Sequence, residues 1–202
     1  NWAIINGEKE TGVTTFKLQH QIDTGNILLQ HKIKIGAAET AGELHDRMMH
    51  IGADLLLSTI NQLANGNLRE TTQEEMENSI LKVRNPADSA TGIELHHAPK
   101  IFTETCNIDF SKKVEEIYNL IRGLSPYPAA YTYLNDKILK VFFAEKEIVP
   151  HNEPIGKIIT DHKTYLKVAC SNGFIHLTDI QQEGKKRMPV ADFLRGYLWK
   201  DL

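Results

Sequence analysis

The fold is organised around residues 12–28, which read GVTTFKLQHQIDTGNIL. Side chains alternate between two faces from Val13 to Leu18 and again in residues 32–35, so the pattern predicts two strands with a polar loop between them. Asp23 lies in that loop, and a carboxylate on a loop between two strands is held rigidly enough for chemistry. The alternative is structural: Asp23 starts an Asx-type turn and Gly25 supplies a positive φ.

The composition is that of a globular protein, with 202 residues, 41% hydrophobic and 24% charged. No apolar run approaches the roughly 20 residues of a membrane span, and the first residues do not read as a signal peptide. Cys106 and Cys170 lie far apart without metal-ligand spacing, so we expect a reduced, cytoplasmic protein. The sequence starts at Asn1 within an apolar pattern, which leads us to expect that an amino-terminal part is missing.

The net charge of −3 is unevenly divided along the chain. Residues 1–97 carry 8 Lys+Arg against 13 Asp+Glu, whereas residues 98–202 carry 15 against 13. The second half is therefore the better partner for an anion.

Helical periodicity predicts one helix over about residues 41–64, a second over about 111–123 and a short third after Pro189. The first has capping-box spacing at its start, Thr40-Ala41-Gly42-Glu43, and Asn65-Gly66 at its end. Asp109 or Ser111 is expected to cap the second helix.

Residues 67–97 lose this periodicity and are rich in polar residues and helix breakers, which predicts a linker. His96-His97 lies at its end, but adjacent histidines point apart and no third ligand is near, so we predict no metal site.

From Ala130 onward the pattern predicts strands separated by turn residues; Asn135-Asp136 and Asn172-Gly173 are typical of tight hairpins. Five short strands are predicted, at 131–134, 138–144, 156–160, 165–170 and 174–180. Five strands at this spacing favour a small closed barrel, and the oligonucleotide/oligosaccharide-binding (OB) barrel is one such class.

Several short motifs then occur in a set order: INGEKETGVTT (5–15), IDTGNIL (22–28), APKI (98–101), IDF (108–110), IRGLSPYPAA (121–130), QEGKKRM (182–188) and DFLRG (192–196). Their order and spacing resemble the methionyl-tRNA formyltransferase family over essentially the whole chain, apart from a linker around 76–93 that is longer than usual.

The resemblance implies an α/β plus β-barrel fold. Residues 1–75 would be the incomplete end of a Rossmann-like formyltransferase catalytic domain, and 76–97 a linker. Residues 98–202 would form an OB-like, five-stranded tRNA-binding domain with flanking helices.

The resemblance also implies a reaction, the transfer of a formyl group from 10-formyltetrahydrofolate to the amino group of initiator methionyl-tRNA, without a metal. The family uses an Asn, a His and an Asp together, and only the Asp maps onto this chain, as Asp23. We therefore expect the chain alone to be inactive, and the intact enzyme to be a monomer away from membranes. The loop residues that would lie along the folate pocket are Leu18, Gln19, His20, Gln21 and Ile22, with His20 exposed and not catalytic.

The resemblance places Lys185, Lys186 and Arg187 on the tRNA-binding surface, where successive cations can meet phosphates. Arg122 would pair with a carboxylate or contact the tRNA. The lysines that would extend this basic surface are Lys137, Lys140 and Lys167.

Other functions fit parts of the pattern. Asp-Thr-Gly also occurs in aspartic proteases, but these need two carboxylates, and the linker, long helix and barrel have no place in that fold. A nucleic-acid-binding module without catalysis would use only the second half. A formyltransferase could also act on another amine, that of a sugar nucleotide or of glycinamide ribonucleotide. By the resemblance, the basic segment at Lys185-Lys186-Arg187 argues against both acceptors.

Overall fold

The computed structural model describes residues 1–76, 78 and 96–197. The chain divides into two compact units. The first comprises Asn1–Lys9, Gly36–Glu43 and Pro99–Leu202, and the second comprises Glu10–Ile35 and Leu44–Ala98. Most of the linker predicted at 76–97 lies outside the described residues, so it stays a prediction.

The Asp23 loop belongs to an antiparallel hairpin in the second unit. The elements of the first 64 residues are helix α1 (Trp2–Ile5), strands β1 (Glu10–Phe16) and β2 (Ile27–Lys34), and helix α2 (Ala41–Ala64). The two strands predicted around the loop are therefore confirmed. Thr59 is buried, and its hydroxyl oxygen lies 2.8 Å from that of Thr15, which ties α2 to the hairpin.

Helix α2 has the bounds that its periodicity predicts, and its capping box is formed. The Thr40 N–H donates to the Glu43 carboxylate at 2.8 Å, and the Glu43 N–H donates to the Thr40 hydroxyl at 3.3 Å. Gly66 follows the helix with a φ of 66°, the left-handed conformation expected of its position. No described helix is long and apolar enough to span a membrane.

The first unit is built on one antiparallel sheet, with the order β3-β4-β7-β6-β5 and β8 paired to β7. Its strands are β3 (Ala130–Leu134), β4 (Lys137–Ile148), β5 (Ile158–Thr160), β6 (Leu166–Cys170), β7 (Gly173–Gln182) and β8 (Met188–Pro189). Asn135 and Asp136 form the β3–β4 turn with φ values of 48° and 60°, as the hairpin prediction requires.

This sheet is curled but open. The pairing of β4 with β7 shifts register twice between Val141 and Ala144, and such irregularities bend a strand and increase its twist. In the described residues β3 and β5 form the two edges, with no pairing between them. The observed half-barrel therefore does not confirm the closed five-stranded barrel, and β8 is a strand that the sequence pattern missed because it has only two residues.

Helices α3 (Val114–Leu124) and α4 (Val190–Arg195) pack on the sheet to form the core of the first unit. The core includes the helix residues Val114, Ile117, Ile121, Leu124 and Phe193 and the strand residues Leu139, Val141, Ile175, Leu177 and Ile180. Both cysteines are buried free thiols, and burial raises the pKa of Cys170 to about 11.

The start of α3 differs from the prediction. The helix begins after Lys113, whose N–H donates to the Glu116 carboxylate at 3.2 Å. Asp109 instead accepts hydrogen bonds from the N–H and hydroxyl of Ser111. Neither Asp109 nor Ser111 caps the helix, because this local turn comes before it.

Candidate functional site

The loop between β1 and β2 carries Asp23 at the surface. Its φ of 59° lies in the left-handed region, which Asp tolerates better than most residues. The loop is closed at its base by the Lys17 N–H, which donates to the Asn26 carbonyl at 2.9 Å. Within the described part of the chain, no group donates a hydrogen bond to the Asp23 carboxylate. The backbone is thus fixed while the carboxylate is free to meet another group.

Gly25 is required for a reason that the sequence did not suggest. The positive φ of this turn falls on Asp23 and not on Gly25. A Cβ at position 25 would overlap the carbonyl oxygen of Lys17, so only glycine lets the two arms of the loop approach. The structural alternative for the Asp-Thr-Gly triplet is therefore wrong in its assignment of the positive φ.

Three residues beyond α2 hold this loop, and we call Glu70, Thr71 and Gln73 the loop clamp. The Gln73 side-chain amide donates to the carbonyl of Asp23 at 2.6 Å and to that of Gly25 at 3.1 Å. The backbone of Thr71 exchanges two hydrogen bonds with that of Ile27, at 2.8 and 3.0 Å. The loop clamp thus fixes the backbone from which the Asp23 carboxylate extends.

Glu70 joins the two arms of the loop. Its carboxylate accepts hydrogen bonds from Lys17 Nζ at 2.9 Å and from Asn26 Nδ2 at 3.0 Å. The Lys17 and Asn26 hydrogen bonds lower the pKa of Glu70. Sequence reasoning missed the clamp because its residues lie in a stretch that reads as linker.

The residues predicted to contact folate lie together on the loop. Leu18 and Ile22 are 84% and 85% exposed, which is unusual for two large apolar side chains on a short polar loop. Gln19, His20 and Gln21 are exposed between them. The described residues contain no group of three His, Cys, Asp or Glu side chains that could hold a metal ion.

The predicted basic cluster forms the exposed turn from β7 into β8, and we call Lys185, Lys186 and Arg187 the basic turn. The turn is closed by the Lys185 N–H, which donates to the Gln182 carbonyl at 2.9 Å. The three cations of the basic turn differ in their binding partners. Arg187 binds the Asp179 carboxylate at 2.8 Å and stacks on Phe142, whereas Lys186 has no partner in the described residues.

Two residues predicted for the basic surface, Lys167 and Arg122, bind groups within the protein. Lys167 Nζ binds Glu147 at 2.7 Å and lies 4.1 Å from the centre of the Phe174 ring. Arg122 is only 6% exposed. Its Nε donates to Asn119 Oδ1 at 2.9 Å, and its Nη1 donates to the carbonyls of Gly36 and Glu39 at 3.2 and 3.1 Å. The assignment of Arg122 to a tRNA-contacting surface is therefore corrected, because the side chain binds backbone inside the first unit.

Comparison with known proteins assigns the class. The formyl transferase family model matches residues 1–60, and the model of the formyl transferase C-terminal domain matches residues 100–198. The chain belongs to the formyl transferase family.

Within that family, methionyl-tRNA formyltransferases are among the curated relatives. That of Phocaeicola vulgatus is 46% identical over 100% of this chain and 60% of its own length. The chain therefore spans about three fifths of the length of the curated relatives it matches.

Solved structures share the fold. HypX from Aquifex aeolicus, in complex with tetrahydrofolic acid, has a TM-score of 0.64 at 17% identity over 96% of this chain and 31% of its own. WlaRD, a sugar 3N-formyl transferase in the presence of dTDP and 5-N-formyl-THF, has a TM-score of 0.57 at 21% identity over 92% of this chain and 59% of its own.

Proposed function

We propose that the chain is part of an enzyme that transfers a formyl group from 10-formyltetrahydrofolate to the amino group of initiator methionyl-tRNA. The observation that carries the proposal is the 46% identity to a methionyl-tRNA formyltransferase along the whole chain. Because the chain spans about three fifths of that relative, the activity is proposed for the whole protein.

Asp23 is the catalytic carboxylate in this proposal. In the transfer, the amine nitrogen bonds to the formyl carbon, the bond from that carbon to the folate nitrogen breaks, and the proton lost by the amine reaches the departing nitrogen. A carboxylate beside the amine accepts this proton, or holds a protonated neighbour that stabilises the oxyanion. The Asp23 carboxylate, which has no hydrogen-bond donor among the described residues and extends from a clamped backbone, suits either role.

The folate donor is proposed to lie along residues 18–22. The exposed apolar side chains of Leu18 and Ile22 would pack on a flat ring, and the loop backbone would supply hydrogen bonds. The folate compounds named with HypX and with the sugar 3N-formyl transferase support this choice of donor. The reaction needs no metal.

The tRNA is proposed to bind the first unit through the basic turn, with the curled sheet serving as an open relative of the OB barrel. We retain the division into a catalytic part (1–75), a linker (76–97) and a tRNA-binding part (98–202), and a cytoplasmic, monomeric enzyme. Arg122 has no place in this surface.

The test is a chimera in which this chain replaces the matching segment of the Phocaeicola vulgatus enzyme. The chimera should formylate methionyl-tRNA, and Asp23→Asn should lower kcat by at least about a hundredfold with unchanged tRNA affinity, because general acid–base groups contribute that much. Asp54→Asn, an exposed aspartate on α2, is the matched control. Near-normal turnover of the Asp23→Asn chimera would remove Asp23 from the chemistry.

A second candidate keeps the reaction and changes the acceptor. The fold match to a sugar 3N-formyl transferase favours an amino sugar carried on a nucleotide. Acceptor choice separates the two: formylation of a dTDP-amino sugar in preference to methionyl-tRNA would replace the first proposal.

A further inference from the structure

A groove of about 570 Å³ lies on the first unit, outside the loop and the basic turn. One wall is the outer face of the β3–β4 hairpin. Tyr131 lies opposite Lys140 across the two strands, and Tyr133 lies opposite Ile138. Alternate residues of these strands are buried in the core, so these four side chains share the other face.

Two further aromatic side chains, Phe102 and Tyr127, also line the groove. Phe102 is 56% exposed, and Lys100 Nζ lies 5.5 Å from its ring centre. Tyr127, on the segment between α3 and β3, is 83% exposed, and Tyr133 is 56% exposed. Exposed aromatic rings gathered in one concave surface with lysines are characteristic of a binding site.

Strand β4, which forms part of the groove, pairs with β7, the strand that leads into the basic turn. The Glu183 N–H donates to the Ile138 carbonyl at 2.8 Å, and Lys140 lies opposite Gln181 on β7. Residues 137–140 thus have the tyrosines of β3 on one side and the start of the basic turn on the other. A chain of phosphates on the basic turn would carry its next nucleotides toward the groove.

We propose that this groove binds unpaired nucleobases of the RNA partner, which extends the proposed function and rests on it for the identity of that partner. Aromatic rings stack on any base whose face is free, and the neighbouring lysines neutralise the phosphates. Paired bases within a helix have no free face, so the occupant is a single-stranded or splayed-out stretch. The charges of Lys100 and Lys140 complement a polyanion and are partly offset by Glu104, whose carboxylate acts on Tyr131 and Cys106.

The test uses the full-length chimera, without folate or an amine acceptor, and a short, unstructured oligoadenylate that contains 2-aminopurine, whose fluorescence falls on stacking. Tyr133→Ala and Tyr127→Ala should each weaken binding roughly tenfold and reduce the quenching, whereas Tyr133→Phe, which keeps the ring, should bind nearly as the parent does. The ratio of parent to Tyr133→Ala affinity should not change with salt, because stacking involves no counterion release. Tyr165→Ala removes an exposed ring on another edge of the same sheet and is the matched control.

Three results would overturn the proposal. The first is that the Tyr133→Ala and Tyr127→Ala variants both bind with the affinity of the parent, with thermal unfolding showing both folded. The second is equal affinity for a duplex of the same length. The third is sedimentation showing that the groove is covered by a second copy of the chain, with Tyr133→Ala producing monomers. The titration uses neither folate nor an amine acceptor. Failure of the chimera to formylate would therefore not contradict base binding in the groove, and failure of the titration would not contradict formyl transfer.

Discussion

The guanidinium of Arg122 is buried against oxygen atoms of Asn119, Gly36 and Glu39, at 2.9 to 3.2 Å. Burial lowers its pKa, opposed by the nearby Tyr118 and Glu39. Arg122→Met keeps much of the packing but removes the side-chain donor to Asn119 and to the Glu39 and Gly36 carbonyls. The Gly36 carbonyl keeps another donor, the Glu39 N–H at 3.2 Å. We expect the substitution to lower the free energy of unfolding by about 1–3 kcal/mol, measured by urea denaturation.

Arg195→Met is the matched control for this substitution, because the Arg195 side chain is 73% exposed and binds Asp192 and the Ala191 carbonyl on its own helix. It should leave the unfolding midpoint nearly unchanged. A fully stable Arg122→Met that loses affinity for tRNA would contradict the structural role and restore Arg122 to the RNA surface.

At the scale of elements, the loop clamp is the feature most directly linked to catalysis. Gln73→Ala removes the two hydrogen bonds to the carbonyls around Asp23, so the carboxylate loses its fixed position. In the chimera we expect kcat to fall roughly tenfold or more with little change in the KM for tRNA, since small misplacements of a catalytic group are costly. Gln30→Ala, which removes a hydrogen bond to Thr14 in the same hairpin, is the control. Equal effects of the two variants would show that the clamp has no special role.

The pH dependence of the clamp follows from Glu70. Its pKa is lowered by the hydrogen bonds from Lys17 and Asn26, so the carboxylate stabilises the folded loop fully above the ordinary carboxyl pKa. This contribution is lost as the pH falls through the lowered pKa. The protection factors of the loop amides, which correct the exchange rates for their intrinsic pH dependence, should therefore fall in acid in the parent, and Glu70→Gln should remove that dependence.

The elements that the sequence predicted well are those that local chemistry specifies. The capping box at Thr40 and Glu43 and the Asn135-Asp136 turn act between neighbours, so their residue types are visible in the sequence. The Gln73–Asp23 contact spans 50 residues and the Arg122–Gly36 contact spans 86. No local pattern encodes such pairs, and for this reason Asp23 was predictable as a candidate while its clamp was not.

On the scale of the whole molecule, the proposed function requires a chain of net charge −3 to bind an anionic RNA, which needs a local arrangement of cations. The basic turn supplies two lysines without ion-pair partners in the described residues, whereas Arg187 is already neutralised by Asp179. The lysines should therefore release most of the counterions.

Lys185→Ala with Lys186→Ala removes both lysines. For initiator tRNA, log affinity should then fall less steeply with log salt, by about 1.8 in the magnitude of the slope, on the duplex scale of about 0.9 per contact. Arg187→Ala should change the slope by less than either lysine, because Asp179 already competes for its charge. The control is Lys112→Ala with Lys163→Ala, two exposed lysines elsewhere on the same unit without ion-pair partners in the described residues, which should leave the slope unchanged. If the control lowers the slope as much as the Lys185/Lys186 pair does, the binding is a property of total charge, and the basic turn loses its place in RNA recognition.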